Sequence, residues 1–179
     1  MKRTLWVFSA ILCVSLLAVA SSHAGEDWIT FNSPEGKFSV EVPSQPKQSK
    51  TKMTSFIGTV TNHIFVIWSG DEKFTVDYSD LPGFAVAFAG ADTIIDHAKS
   101  AMAKQTLAKV QSFTDVTVGK YKGKKFIFDM PPMKGKPAMH AVAYFFLVGH
   151  RLYVIDAEVP RGDGEERADR FLDSISFNH

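Results

Sequence analysis

The chain has 179 residues, with 20 basic and 19 acidic side chains and a net charge of +1. That balance gives no global pull toward nucleic acid or anionic lipid. The single cysteine, Cys13, lies in an N-terminal leader, so the rest of the chain can have no disulfides, thiol catalysis or cysteine metal site.

The leader is read from its three parts. Lys2 and Arg3 make a positive start, Leu5–Ala20 is a long apolar run, and Ser22-His23-Ala24 has the small-x-small form of a cleavage site. Residues 1–24 are therefore expected to be a signal peptide cleaved after Ala24, which addresses the protein to the periplasm or the extracellular space. The apolar run is short for a span of about 20 residues, so no stable membrane anchor is expected after cleavage. Cys13 follows the large Leu12, where a lipoprotein cysteine follows a small residue. Residues 25–179 are then expected to form one domain, since a chain of about 155 residues buries roughly 70% of its unfolded surface without staples.

Taken in order, Trp28–Phe31 and Lys37–Val42 read as two strands joined by the turn Ser33-Pro34-Glu35-Gly36. Phe38, Val40 and Val42 alternate with Lys37, Ser39 and Glu41, the pattern of a half-buried strand. Lys50–Ile57, Thr59–Ser69 and Lys73–Tyr78 follow as strands. Leu81–Gly90 is strongly apolar, but its Pro82 and Gly83 argue against a simple helix or a central strand. Asp92–Lys109 predicts the main helix, with Ile94/Ile95, Ala98, Ala101/Met102 and Gln105 as its buried stripe. Val110–Val118 and Lys124–Met130 read as strands around a turn at Lys120–Gly123, and 131–137 as a loop.

Ala138–Pro160 is the expected centre of the sheet, a hairpin turning at Gly149-His150. Both faces of its first strand are apolar, which suits a strand covered on both sides. A second helix is expected after Gly162, with Asp163 and Glu166 at capping-box spacing and Ala168, Phe171, Leu172 and Ile175 buried. Ser174–Phe177 closes as a short strand. Strands, a helix, more strands and a final helix predict an α+β fold, a mainly antiparallel β-sheet with two main helices packed on it.

The opening W-I-T-F-N-S-P-E-G-K-F-S-V-E-V-P and the closing R-L-Y-V-I-D-A-E (Arg151–Glu158) and F-L-D-S-I-S-F (Phe171–Phe177) resemble those of small secreted bacterial proteins of unknown function. Such chains resemble the Mog1/PsbP-like fold group, an antiparallel sheet with helices on its faces. The resemblance implies a sandwich fold over the whole chain after the leader. Because PsbP proteins assist photosystem II and Mog1 binds a small GTPase, it also implies a binding or assembly role.

No catalytic motif is present. His63, His97, His140, His150 and His179 form no paired ligand motif, so no metal or other cofactor is expected. No serine lies in a nucleophile elbow, and no glycine-rich loop opens a helix. Asp156 and Glu158 share a face, a geometry that can shift a pKa, but near a strand end a solvated face is expected. An envelope hydrolase built on His140, His150 and Asp156 is one alternative, and a carrier of a small apolar ligand between helix and sheet is another.

Two features are candidate docking sites for an unknown protein or envelope component. Lys120, Lys122, Lys124, Lys125, Lys134 and Lys136 bracket one strand. They either form a docking patch or guard a sheet edge against aggregation. Leu81, Phe84 and Phe88 either form a hydrophobic lip that grips a partner or pack as a loop under the sheet edge. The expected function is thus a non-catalytic, exported binding or accessory protein, with no nucleic-acid partner.

Overall fold

The computed structural model describes residues 27–55, 58–132, 137–162 and 164–179. The leader with its cleavage site, Asp163, Lys134 and Lys136 lie outside the described residues. Among the described residues the chain is mainly antiparallel sheet with three helices.

In chain order the elements are β1 (Ile29–Ser33), β2 (Phe38–Val42), β3 (Lys47–Ser55), β4 (Gly58–Ser69), β5 (Glu72–Asp80), α1 (Gly83–Ala89) and α2 (Ala91–Thr106). Then follow β6 (Lys109–Val118), β7 (Tyr121–Met130), β8 (Met139–Val148), β9 (Arg151–Pro160), α3 (Glu165–Asp173) and β10 (Ser176–Phe177). A seven-stranded antiparallel sheet has the order β3-β4-β5-β9-β8-β7-β6, and a small sheet has the order β1-β2-β10. The expected hairpin is β8–β9, and it occupies the middle of the large sheet. Gly149 takes φ 61° in its turn, a conformation that costs glycine nothing sterically.

Period two assigns the two faces of the large sheet. On one face, Phe65, Ile67, Phe74, Val76, Tyr78, Tyr153, Ile155 and Ala157 meet Phe38, Val40 and Val42 of the small sheet. Ala168, Phe171, Leu172 and Ile175 of α3 complete that core, as the stripe predicts. Phe171 packs on Phe74 with ring centroids 5.1 Å apart, and Phe38 meets Phe65 edge-on at 5.4 Å. Polar ties close the seam: the Tyr153 hydroxyl donates to the Gly36 carbonyl at 2.6 Å, and Ser174 Oγ accepts from the Glu41 N–H at 2.8 Å. Burial pushes the Tyr153 hydroxyl up to about 12, which keeps it a donor at neutral pH.

On the other face, Phe126, Phe128, Ala141, Ala143 and Phe145 form a second core against Ile95, with Ala98 and Met102 partly buried beside it. Gly123 allows this strand pairing. A Cβ there would stand 2.4 Å from the Phe145 carbonyl oxygen and 2.5 Å from the Phe146 ring. It lies within β7, not in the expected turn, which is Gly119-Lys120.

The helices depart from expectation in two ways. Leu81–Gly90 contains a helix, α1, because Pro82 stands at its N-cap, where its missing N–H costs nothing. α2 ends at Thr106 with Leu107 left-handed, so Lys109 opens β6 instead of closing the helix. α3 starts behind Gly164 at its N-cap, and the Asp163 of the expected capping box lies outside the described residues. Arg170 pairs with Glu41 across to β2 at 2.9 Å.

Candidate functional site

The polar side of β5 builds the site. Lys73, Thr75, Asp77 and Ser79 alternate with the core residues Phe74, Val76 and Tyr78, and all four point to the face that α2 covers. Antiparallel register sets Thr75 opposite Asp156 and Lys73 opposite Glu158, so β9 adds two carboxyls to the same surface. β4 contributes Asn62, Ile64 and Val66. α2 forms the roof with Ala98, Ala101, Met102, Gln105 and Thr106. Between roof and floor lies a cleft of about 400 Å³.

Asp156 and Glu158 are therefore 4% and 9% exposed, which corrects the expectation of a solvated face. β9 is the middle strand, with β5 on one flank and β8 on the other, and α2 crosses above it. Lys73 Nζ donates to Glu158 Oε1 at 2.7 Å, and Ser79 Oγ donates to Asn62 Oδ1 at 2.9 Å. Three buried atoms of the floor have no hydrogen-bond partner: Thr75 Oγ1, Asp77 Oδ1 and Asp156 Oδ2. Leaving such a group unmet costs about 1–3 kcal/mol.

Electrostatics follow from this geometry. Burial pushes Asp156 up to about 8; Lys73 opposes the rise while Glu158 and Asp77 reinforce it. Burial likewise pushes Asp77 up to about 6, against a hydrogen bond from Asn62 and the charge of Lys73. Burial alone would lower Lys73, but the charges of Asp156, Glu158 and Asp77 overcome it and hold the ammonium above its ordinary value. The floor thus sets the 2.7 Å Lys73–Glu158 salt bridge beside an Asp156 that burial keeps neutral near pH 7.

The roof is lightly held. Ile95 is the buried side chain among the residues of α2, and Gly90 (φ 75°) and Leu107 (φ 53°) flank the helix.

The lysine cluster is not one patch. Lys122 and Lys124 lie on the α2 face of β7, with Lys124 Nζ 2.6 Å from Asp115 on β6, whereas Lys125 lies over the Tyr144 ring on the opposite face. Lys120 sits over the ring of its neighbour Tyr121. Opposition thus comes from Asp115 on the edge strand as well as from Asp129, which pairs with Arg161. In the apolar segment Leu81 is buried, and its N–H donates to the His150 carbonyl at 2.8 Å, so it cannot contact a partner. Phe84 and Phe88 are 70% and 94% exposed.

The histidines do not converge. His63 stacks on Tyr78 with centroids 4.4 Å apart, and its Nδ1 lies 2.9 Å from the Tyr78 hydroxyl. His140 lies three strand positions away, near Asp129, so the two do not face each other. His140 also points to the opposite face from Asp156, and His150 is exposed in the hairpin turn. Among the described residues, no group of three or more His, Cys, Asp or Glu is placed to hold a metal ion.

No protein-family model matches this chain, and no curated protein does. Among solved structures, cyanobacterial PsbP (CyanoP) from Synechocystis sp. PCC 6803 aligns over 90% of this chain and 98% of its own, with a TM-score of 0.57 at 11% identity. A Pseudomonas aeruginosa protein of unknown function aligns over 78% of this chain and 88% of its own, with a TM-score of 0.39 at 8% identity. A Bacteroides thetaiotaomicron protein aligns over 84% of this chain and 48% of its own, with a TM-score of 0.42 at 15% identity. The chain has a PsbP-like fold. At that identity the likeness extends to the fold alone.

The sequence put Asp156 and Glu158 on one face of the central hairpin, but cover on both sides was expected for its first strand, and the cover over β9 comes from β5 and α2.

Proposed function

We propose that this chain is a non-catalytic, exported binding or accessory protein that holds a small ligand carrying hydrogen-bond donors in the cleft beneath α2. One observation carries the reading: Thr75 Oγ1, Asp77 Oδ1 and Asp156 Oδ2 are all unmatched on the floor of one cavity. Natural folds leave few such groups, and where they cluster in a cleft a ligand can supply the partners. A wholly apolar ligand would leave all three unpaired, so these acceptors select against it. The non-catalytic part rests on the dispersal of the histidines and on the absence of a nucleophile motif in the sequence. Export rests on Lys2, Arg3, the apolar run and the small residues before Gly25.

The test is native mass spectrometry of the protein recovered from its host, alongside Ala101→Trp, which crowds the cleft from an exposed roof position. The reading expects an adduct of small-molecule mass on the wild type that Ala101→Trp lacks. A bare polypeptide mass in both overturns it.

A second reading places a protein partner on α1, favoured by the exposed Phe84 and Phe88. Crosslinking in the host distinguishes it: a partner protein captured by the wild type and lost in Phe84→Ser/Phe88→Ser supports docking there.

A further inference from the structure

We infer that the ligand of the cleft is an organic monocation, a primary ammonium on a short apolar stem. This rests on the cleft being the binding site and adds the chemical class of what it takes.

The charge count comes first. Asp77, Asp156 and Glu158 face the cavity with one cation, Lys73, which Glu158 already engages at 2.7 Å. Two acids are left without a counter-charge. The rest of the lining adds none: Met53 of β3, Asn62 of β4, Phe145 of β8 and Gln105 of α2 are all uncharged, as are their lining neighbours.

Hydrogen-bond stoichiometry agrees. An ammonium has three donors and no acceptor, and three acceptors stand unmatched. Thr75 lies directly across from Asp156 and two residues from Asp77 on the same face. Facing side chains on paired strands have Cβ atoms about 5 Å apart and same-face neighbours about 7 Å apart, spacing that one small head can bridge. Thr75 is buried, and its hydroxyl, directly across from Asp156, has no partner in good hydrogen-bond geometry.

Shape excludes a bare ion. Among the described residues no group of three or more His, Cys, Asp or Glu is placed to hold a metal ion. The cavity of about 400 Å³ continues past the carboxyls along Ala98, Met102, Leu152 and Val154, an apolar path for a stem. A cationic head over the acids and a short hydrocarbon under the roof satisfies both halves.

The binding step is coupled to protons. Asp156 is neutral near pH 7, and an ammonium favours its carboxylate, so binding the cation releases the Asp156 proton to solvent. Asp77 from β5 adds to the release at lower pH, while Lys73 stays charged and bonded to Glu158.

Isothermal titration with benzylamine, benzyl alcohol, phenylacetate and magnesium chloride, at about pH 6 and about pH 8, tests this. Benzylamine is expected to bind at least about tenfold more tightly than the alcohol, and about tenfold or more tighter at the higher pH, with proton release read from the buffer dependence of the heat. Asp156→Asn is expected to lose about tenfold in affinity at the higher pH together with most of the pH dependence, and Asp77→Asn gives a second variant with the same direction. Equal affinity for amine and alcohol overturns the cationic class while leaving the cleft as the site. Binding of magnesium or phenylacetate in preference to the amine also overturns it. Undiminished amine binding in both variants moves the site elsewhere, and silence from every probe counts against the cleft itself.

Discussion

The two faces of the central strands β8 and β9 are covered in opposite ways. Toward α3 and the small sheet, the buried floor positions are apolar or aromatic, and polar groups among them, such as the Tyr153 hydroxyl, have partners at good distances. Toward α2, only the half over β7 and β8 is packed; the half over β4, β5 and β9 is polar, hollow and roofed by a helix with one buried side chain. The first face has the features that stabilise a fold. The second retains unmet hydrogen bonds at the centre of the sheet, which lower stability and are kept where binding needs them.

Substitutions on each side should separate these roles. Phe171→Ala removes a fully buried ring at the α3 seam and should cost about 3–5 kcal/mol in denaturant unfolding. Loss below about 1 kcal/mol would mean the α3 side is not the structural core. Gly123→Ala drives a Cβ into the Phe145 carbonyl and should cost about 1–3 kcal/mol by the same measurement. Wild-type stability there would contradict the close approach of β7 to β8. On the α2 roof, Met102→Ala should cost only about 1 kcal/mol, since the side chain is half exposed and borders a cavity. A loss as large as that of Phe171→Ala would show that the roof is core after all.

Arg151→Lys should have the smallest effect. Its guanidinium grips Asp80 through two bonds of 2.6 and 2.7 Å, donates to the Glu35 carbonyl and lies over the Tyr78 ring. Lysine keeps the charge but loses the fork and the stacking, for a loss of about 0.5 kcal/mol because Asp80 is largely exposed. An unchanged unfolding midpoint would reduce that contact to decoration.

Much of the fold was legible because it rests on alternation. Phe38, Val40 and Val42, the β8–β9 hairpin and the stripe Ala168, Phe171, Leu172 and Ile175 stand where period two and period 3.6 put them. The elements misread were those decided by neighbours distant in sequence. Pro82 and Gly83 look like breakers until Pro82 is seen to start a helix. The lysines of β7 look like one patch until strand alternation sends Lys125 to the face opposite Lys122 and Lys124. Asp156 and Glu158 look solvated until β5 pairs alongside and α2 crosses over them. Strand order and the path of α2 are tertiary facts, and no local pattern in β9 encodes them.

The central claim is that Asp156 is buried and unpaired in a cleft rather than paired in a core. The most direct test is the unfolding free energy of the wild type and of Asp156→Asn across the range from about pH 4 to about pH 8. A carboxyl raised to about 8 in the folded protein stabilises it fully below about pH 4, where it is protonated in both states, and loses that contribution as pH rises toward 8. The account predicts that the wild type falls relative to Asp156→Asn by on the order of 3–5 kcal/mol across that window, leaving the variant the more stable protein at the alkaline end. Parallel curves, or a wild type that gains on the variant as pH rises, would show that Asp156 is ionised and matched in the native state and would contradict it.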